Sequence, residues 1–185
     1  MKKKYFVAVL FLGALLASCV PSIYPLYTEK DIIFDPALLG TWVGENQEQI
    51  WEFSTEDSFS YNLVYTDDSV ASGFTVHLVF LEGNLFMDLY PDELEFGNEL
   101  YQMYLIPAHT IAKAFLENDL LRLDWLDIEW LEEMIETNTL KISHEKLENN
   151  TILLTAKTKD LQAMVMKYGN DEKAFAKGDE LYKQE

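Results

Sequence analysis

From Gly40 to Leu126 apolar residues recur mostly at every second position, and this period restricts the fold more than any other feature of the 185-residue chain. Successive side chains of an extended strand point to opposite faces, so alternation marks strands with one buried face. Trp51 and Phe53 flank Glu52, and Phe59, Tyr61, Leu63 and Tyr65 alternate with Ser60, Asn62 and Val64. The wholly polar Ser54-Thr55-Glu56-Asp57-Ser58 between these runs reads as a hairpin connection. Phe74, Val76, Leu78 and Phe80 repeat the pattern, and Glu82-Gly83-Asn84 turns the chain into Leu85, Met87 and Leu89, the Gly-Asn step supplying positive φ. After an acidic loop from Pro91 to Asn98, Tyr101 to Ile106 resumes a strand that Pro107 breaks. His109–Leu116 and Leu120–Leu126 form a further pair around Glu117-Asn118-Asp119. Seven to nine short strands in meander order predict an up-and-down barrel, because closure removes the unpaired edges of an open sheet.

The period then changes. Asp127 is placed to cap a helix near 127–137 with Ile128, Leu131, Met134 and Ile135 on one face. Leu140–Ile142 reads as a short edge segment and Ile152–Ala156 as a final strand. Thr158 opens a second helix, near 158–168, with Leu161, Met164, Val165 and Tyr168 on one face and Gly169 at its end. The charged tail to Glu185 reads as frayed, with Phe175 and Leu181 as its contacts. No repeat and no Gly/Ser linker divides the chain. The expectation is one mainly β domain over 40–185, an antiparallel up-and-down barrel with one inserted helix and a C-terminal helix.

The first residues carry an address. Lys2, Lys3 and Lys4 precede an apolar stretch from Tyr5 to Leu16, which is too short to span a bilayer core of roughly 30 Å. Leu16-Ala17-Ser18-Cys19 resembles a bacterial lipobox, with small residues before the only cysteine of the chain. The resemblance implies that residues 1–18 are a cleaved lipoprotein signal peptide and that Cys19, as the new N-terminus, carries acyl chains of palmitate type on sulfur-linked glycerol and on its amine. Two or more such chains anchor stably where one is marginal. By the same resemblance, Val20 after the cysteine implies the cell envelope and, where the organism has one, the outer membrane.

Losing residues 1–18 removes three lysines and no acid, leaving 11 basic against 32 acidic side chains, a net −21 where the full chain has −18. Anionic lipid and nucleic-acid phosphates repel such a body, so the membrane partner must be held through Cys19 alone and nucleic acid is excluded. A lone cysteine also leaves the fold without an internal disulfide.

Residues 19–39 form the lipidated N-terminal segment. Pro21, Pro25 and Pro36 oppose regular structure there, while Ile23, Tyr24, Leu26, Tyr27, Ile32, Ile33 and Phe34 are too apolar for a spacer. The segment reads as a strap lying on the domain. Gly40-Thr41-Trp42, preceded by a stretch that can form one 3₁₀ turn, Asp35-Pro36-Ala37-Leu38-Leu39, resembles the opening of lipocalins. The resemblance implies that Gly40 and Trp42 are structural, the tryptophan plugging the closed end of an eight-stranded barrel, and that a late arginine stacks on it. The only arginine is Arg122, which alternatively pairs with one of the many carboxylates. The lipocalin threonine-aspartate-tyrosine element is missing, and Thr66-Asp67-Asp68 falls too early to replace it. The segment from Tyr24 to Trp42 and the helix after Leu126 also resemble small bacterial lipoproteins of uncharacterised function.

Little in the sequence supports catalysis. The sole thiol is committed to lipid and no G-x-S-x-G elbow is present. His77, His109 and His144 lack the spacing of a zinc site, although neighbouring strands could bring His77 and His109 together for metal or acid–base work. Asp67-Asp68 and Asp92-Glu93-Glu95 lack EF-hand spacing, and no glycine loop cradles phosphate, so no metal and no cofactor is expected. What remains is an excess of aromatics: 10 Tyr, 11 Phe and 4 Trp. They serve either as core and helix cover, or as an apolar pocket with a few polar groups such as His77 and Arg122. The leading expectation is a non-enzymatic, membrane-anchored binding module for a small apolar or amphipathic ligand. Its alternative is an assembly partner of a larger envelope complex, docking through the aromatic strap.

Overall fold

The computed structural model describes residues 20–55, 57–92, 105–147 and 151–184. Cys19, the signal segment and most of the strand expected over Tyr101 to Ile106 lie outside them; Leu105 and Ile106 are described and are not in a strand. In chain order the elements are β1 (Pro21–Ser22), β2 (Ile32–Ile33), a 3₁₀ turn (Pro36–Leu38), β3 (Gly40–Gly44), β4 (Gln49–Ser54), β5 (Tyr61–Asp67), β6 (Val70–Leu81), β7 (Asn84–Pro91), β8 (His109–Glu117), β9 (Leu120–Leu126), α1 (Ile128–Glu136), β10 (His144–Lys146), β11 (Ile152–Leu154), α2 (Thr158–Tyr168) and β12 (Phe175–Lys183). β3 to β9 pair in meander order, and β12 pairs with both β9 and β3. Eight antiparallel strands thereby close a lipocalin-like barrel.

Local chemistry accounts for the turns. Asp68 and Ser69 both take positive φ between β5 and β6, as do Glu82 and Gly83 between β6 and β7. Two consecutive left-handed residues give the twist that a tight hairpin needs. Asn84, expected within the second turn, is instead the first residue of β7. Asp127 caps α1 by accepting the Trp130 N–H at 2.7 Å.

Alternation sorts the apolar residues into two cores. Leu38, Trp42, Phe53, Tyr61, Leu63, Val76, Leu78, Met87, Leu121, Leu123 and Leu181 fill the barrel. Val79, Leu81, Phe86, Ile111, Leu126 and Phe175, facing outward, form a second core with the strap, α1, β11 and α2. The inserted segment between β9 and β12 is thus an outer layer, which explains why aromatics occupy both faces of the strands.

The strap is part of that layer. Val20, Ser22 and Leu26 are buried, β1 pairs with β8 and β11, and β2 pairs with β6. Thr158 Oγ1 and Gln162 Nε2 on α2 donate to the carbonyls of Pro25 and Leu26.

Three expectations need correction. The C-terminal segment is not a frayed tail: Phe175–Lys183 is the strand that closes the barrel. Ile152–Leu154 is a short strand of the outer layer, parallel to β1, rather than the last barrel strand. Leu140–Ile142 is not a strand; the edge segment is His144–Lys146.

Candidate ligand site at the end of the barrel opposite the plug

The two ends of the barrel differ chemically. At one, Asp35 Oδ1 accepts the Ala37 N–H and holds the 3₁₀ turn across the opening. Trp42 is fully buried there and donates Nε1–H to the Leu38 carbonyl at 2.8 Å. Phe34 stacks on Tyr61 at 5.0 Å, and the Asp35 N–H donates to the Tyr61 hydroxyl at 2.6 Å. Gly40 takes φ +117°, and a Cβ there would meet Lys183 Cε at 3.3 Å. Leu38, Trp42, Tyr61, Met87 and Leu121 have zero exposure, so no gap against them is large enough for a water molecule. This end is a plug.

The plug's cation is Lys183 rather than Arg122. Its Nζ lies 5.1 Å from the centre of the Trp42 ring and donates to the Ala37 carbonyl at 2.7 Å. Arg122, on the outer face of β9, stacks its guanidinium 3.8 Å over Phe115 and sits 3.1 Å from Asp124. It belongs to neither the plug nor the interior.

His77 also faces outward, between the inward Val76 and Leu78. β6 and β8 do bring it near His109, on either side of Asp88 in β7, under the strap. The fully buried Asp88 accepts from Leu26 N–H at 2.7 Å and contacts His109 Nδ1 at 2.7 Å. Tyr27 stacks on His77 at 4.1 Å, and Tyr90 lies 4.5 Å from His109. Burial pushes the His77 pKa down, and His109 adds to that, while Asp88 and Asp57 oppose it. His109 is tied to Asp88, whereas His77 is held by the Tyr27 stack, its buried Nδ1 having no hydrogen-bond partner among the described residues. Among the described residues no three His, Cys, Asp or Glu side chains converge as metal ligands. His144 is remote in role, contacting the Ile142 carbonyl at 2.9 Å.

At the opposite end, where β3–β4 and β5–β6 turn, the interior is lined by Trp51, Tyr65, Phe74 and Trp125. Tyr65, Phe74 and Trp125 are only partly buried. Trp51 meets Tyr65 edge-on at 5.1 Å. Although Trp51 is 5% exposed, its indole N–H is buried with no acceptor among the described residues. An unpaired buried donor costs about 1–3 kcal/mol, so an orphan N–H marks a place where a partner is missing.

One polar residue enters this cup from β12. The strand bulges between Ala176 and Asp179, and the shift turns Asp179 inward opposite Leu123. Asp179 Oδ2 accepts the Trp125 Nε1–H at 2.9 Å. Gly178 is what permits it: a Cβ there would fall 2.3 Å from the Leu123 carbonyl and 2.6 Å from Trp125 Cδ1. Burial raises the Tyr65 pKa to about 12, with Asp67 and Asp179 adding to the shift, so its hydroxyl stays neutral.

The sequence did not single out this site. Trp51 and Tyr65 were legible as inward strand residues, but Asp179 falls at a bulge, which alternation does not reveal. Comparison with protein-family models, curated proteins and solved structures returns no match.

Proposed function

We propose that this chain is a lipid-anchored envelope protein whose barrel binds one small amphipathic molecule at the end opposite the plug. The contrast between the ends carries the reading: a hydrogen-bonded plug on one side, and on the other an aromatic cup with an orphan indole donor and an inward carboxylate. Aromatic walls with a few convergent polar groups are the usual composition of a ligand site. The lipobox residues Leu16-Ala17-Ser18-Cys19 support the anchor.

Docking through the aromatic strap is the weaker reading. Tyr27 and Phe34 are stacked on His77 and Tyr61, and of the strap's described apolar residues Tyr24, at 41% exposure, and Ile33, at 37%, are left outward.

The binding reading is tested with N-phenyl-1-naphthylamine, a neutral amphiphile that brightens in apolar surroundings. One saturable site per chain, with quenching of tryptophan emission and loss of both effects in Tyr65→Arg, is expected. No brightening above that of an unrelated acidic protein overturns the reading.

A further inference from the structure

Building on the binding reading, we propose that the cup selects an organic cation: a ligand whose ammonium head lies against the faces of Trp51, Tyr65 and Trp125 beside the Asp179 carboxylate. Aromatic rings present a negative face, and Trp and Tyr are the better partners of a desolvated cation. Four features of this end favour positive over negative or neutral heads.

Asp179 is the first. It faces inward among aromatics, its hydrogen bond comes from a neutral indole, and no lysine or arginine pairs with it among the described residues. A carboxylate in such surroundings lacks a counter-charge, which a ligand would supply. Second, the neutral Tyr65, hydrogen-bonded through its hydroxyl to Asp67, contributes an aromatic wall. Third, Asp67 stands in β5 beside it, so an anionic head would face two carboxylates. Fourth, the body without residues 1–18, with 11 basic against 32 acidic side chains, raises the local concentration of cations around the whole molecule, this end included. The Trp51 N–H then asks for an acceptor further along the ligand, such as an ether, ester or amide oxygen. An organic ammonium bearing a short polar linker and an apolar tail meets each demand.

The test uses residues 19–185 carrying Cys19→Ser, titrated calorimetrically with three octyl probes below their micellar concentrations: octyltrimethylammonium, octyl sulfate and octyl glucoside. The cation is expected to bind about tenfold more tightly than the sulfate, the size that cation–π and carboxylate contacts give in a partly desolvated site. Asp179→Asn keeps an acceptor for Trp125 and should erase most of the preference for the cation over the sulfate. Asp160→Asn on α2 removes the same charge elsewhere and should leave the preference intact. Equal affinity for all three probes, or an equal loss in both variants, overturns the cation inference and leaves the binding reading standing. If none of the three binds, both fall.

Discussion

Lys183 caps the plug of this barrel by lying 5.1 Å over the Trp42 ring while donating to the carbonyl of Ala37 in the 3₁₀ turn. One side chain thus ties the last strand to the first strand and to the turn that covers the opening. Its aliphatic stem also passes Gly40, whose missing Cβ leaves the room.

Lys183→Met keeps the stem and removes the charge. It should cost about 1–2 kcal/mol in urea unfolding, combining a partly desolvated cation–π contact with one charged hydrogen bond. Lys183→Arg should recover most of it. Arg122→Met, on the outer face over Phe115 and beside Asp124, should leave the near-ultraviolet dichroism of Trp42 unchanged.

Gly178→Ala should be among the most damaging single changes in the chain. Its methyl group would collide with the Leu123 carbonyl and with Trp125. A loss of about 3 kcal/mol is expected, the upper range for overpacking, together with loss of ligand binding. Gly83→Ala meets open space and suffers only the penalty of a positive φ, about 1 kcal/mol. Thermal melts of the two variants side by side check the difference.

Asp88→Ala should release the strap. The fully buried carboxylate is the acceptor for Leu26 N–H, and its loss also strands His109. Amide exchange at Leu26 should accelerate by orders of magnitude, with about 3 kcal/mol of global destabilisation, as for other buried pairs deprived of one member. Amides of β4, whose ladder partners are β3 and β5 rather than the strap, should exchange at a rate set only by that global loss.

His77 gives the fold a mild acid sensitivity. Burial first, then His109, hold its pKa below the ordinary value of 6.5, so the folded protein keeps the ring neutral where the unfolded chain takes up a proton. Its contribution is therefore fully present above pH 6.5 and lost as pH falls from there toward the lowered folded value. His77→Gln should flatten the stability profile between pH 7 and 5.5 relative to the parent chain. An unchanged slope in chemical denaturation would contradict the assignment.

The strands of the barrel were legible because each buries one face, and a period of two is all that this requires. The closing strand was not. Phe175-Ala-Lys-Gly-Asp-Glu-Leu-Tyr-Lys reads as a charged tail because the bulge after Ala176 shifts the alternation by one step and places an acid inward. The plug was half legible. Gly40 and Trp42 announced it, but the sole arginine drew attention away from a lysine that the same bulged strand delivers. His77 shows the opposite limit: its parity on β6 puts it outside the barrel, where alternation gives the face but not the strap laid over it.

The proposed anchor has its own test. Intact-mass analysis of the native product should find residues 1–18 removed and Cys19 acylated, and Cys19→Ser should move the chain from the membrane to the aqueous fraction.

The central claim, a barrel that holds one small amphipathic molecule at the end opposite its plug, is tested most directly by native mass spectrometry of residues 19–185 with Cys19→Ser, purified without detergent. The account predicts a population carrying a single non-covalent adduct, released on denaturation and absent from Gly178→Ala. Bare polypeptide mass in every charge state, persisting after incubation with octyltrimethylammonium and with N-phenyl-1-naphthylamine, would contradict it.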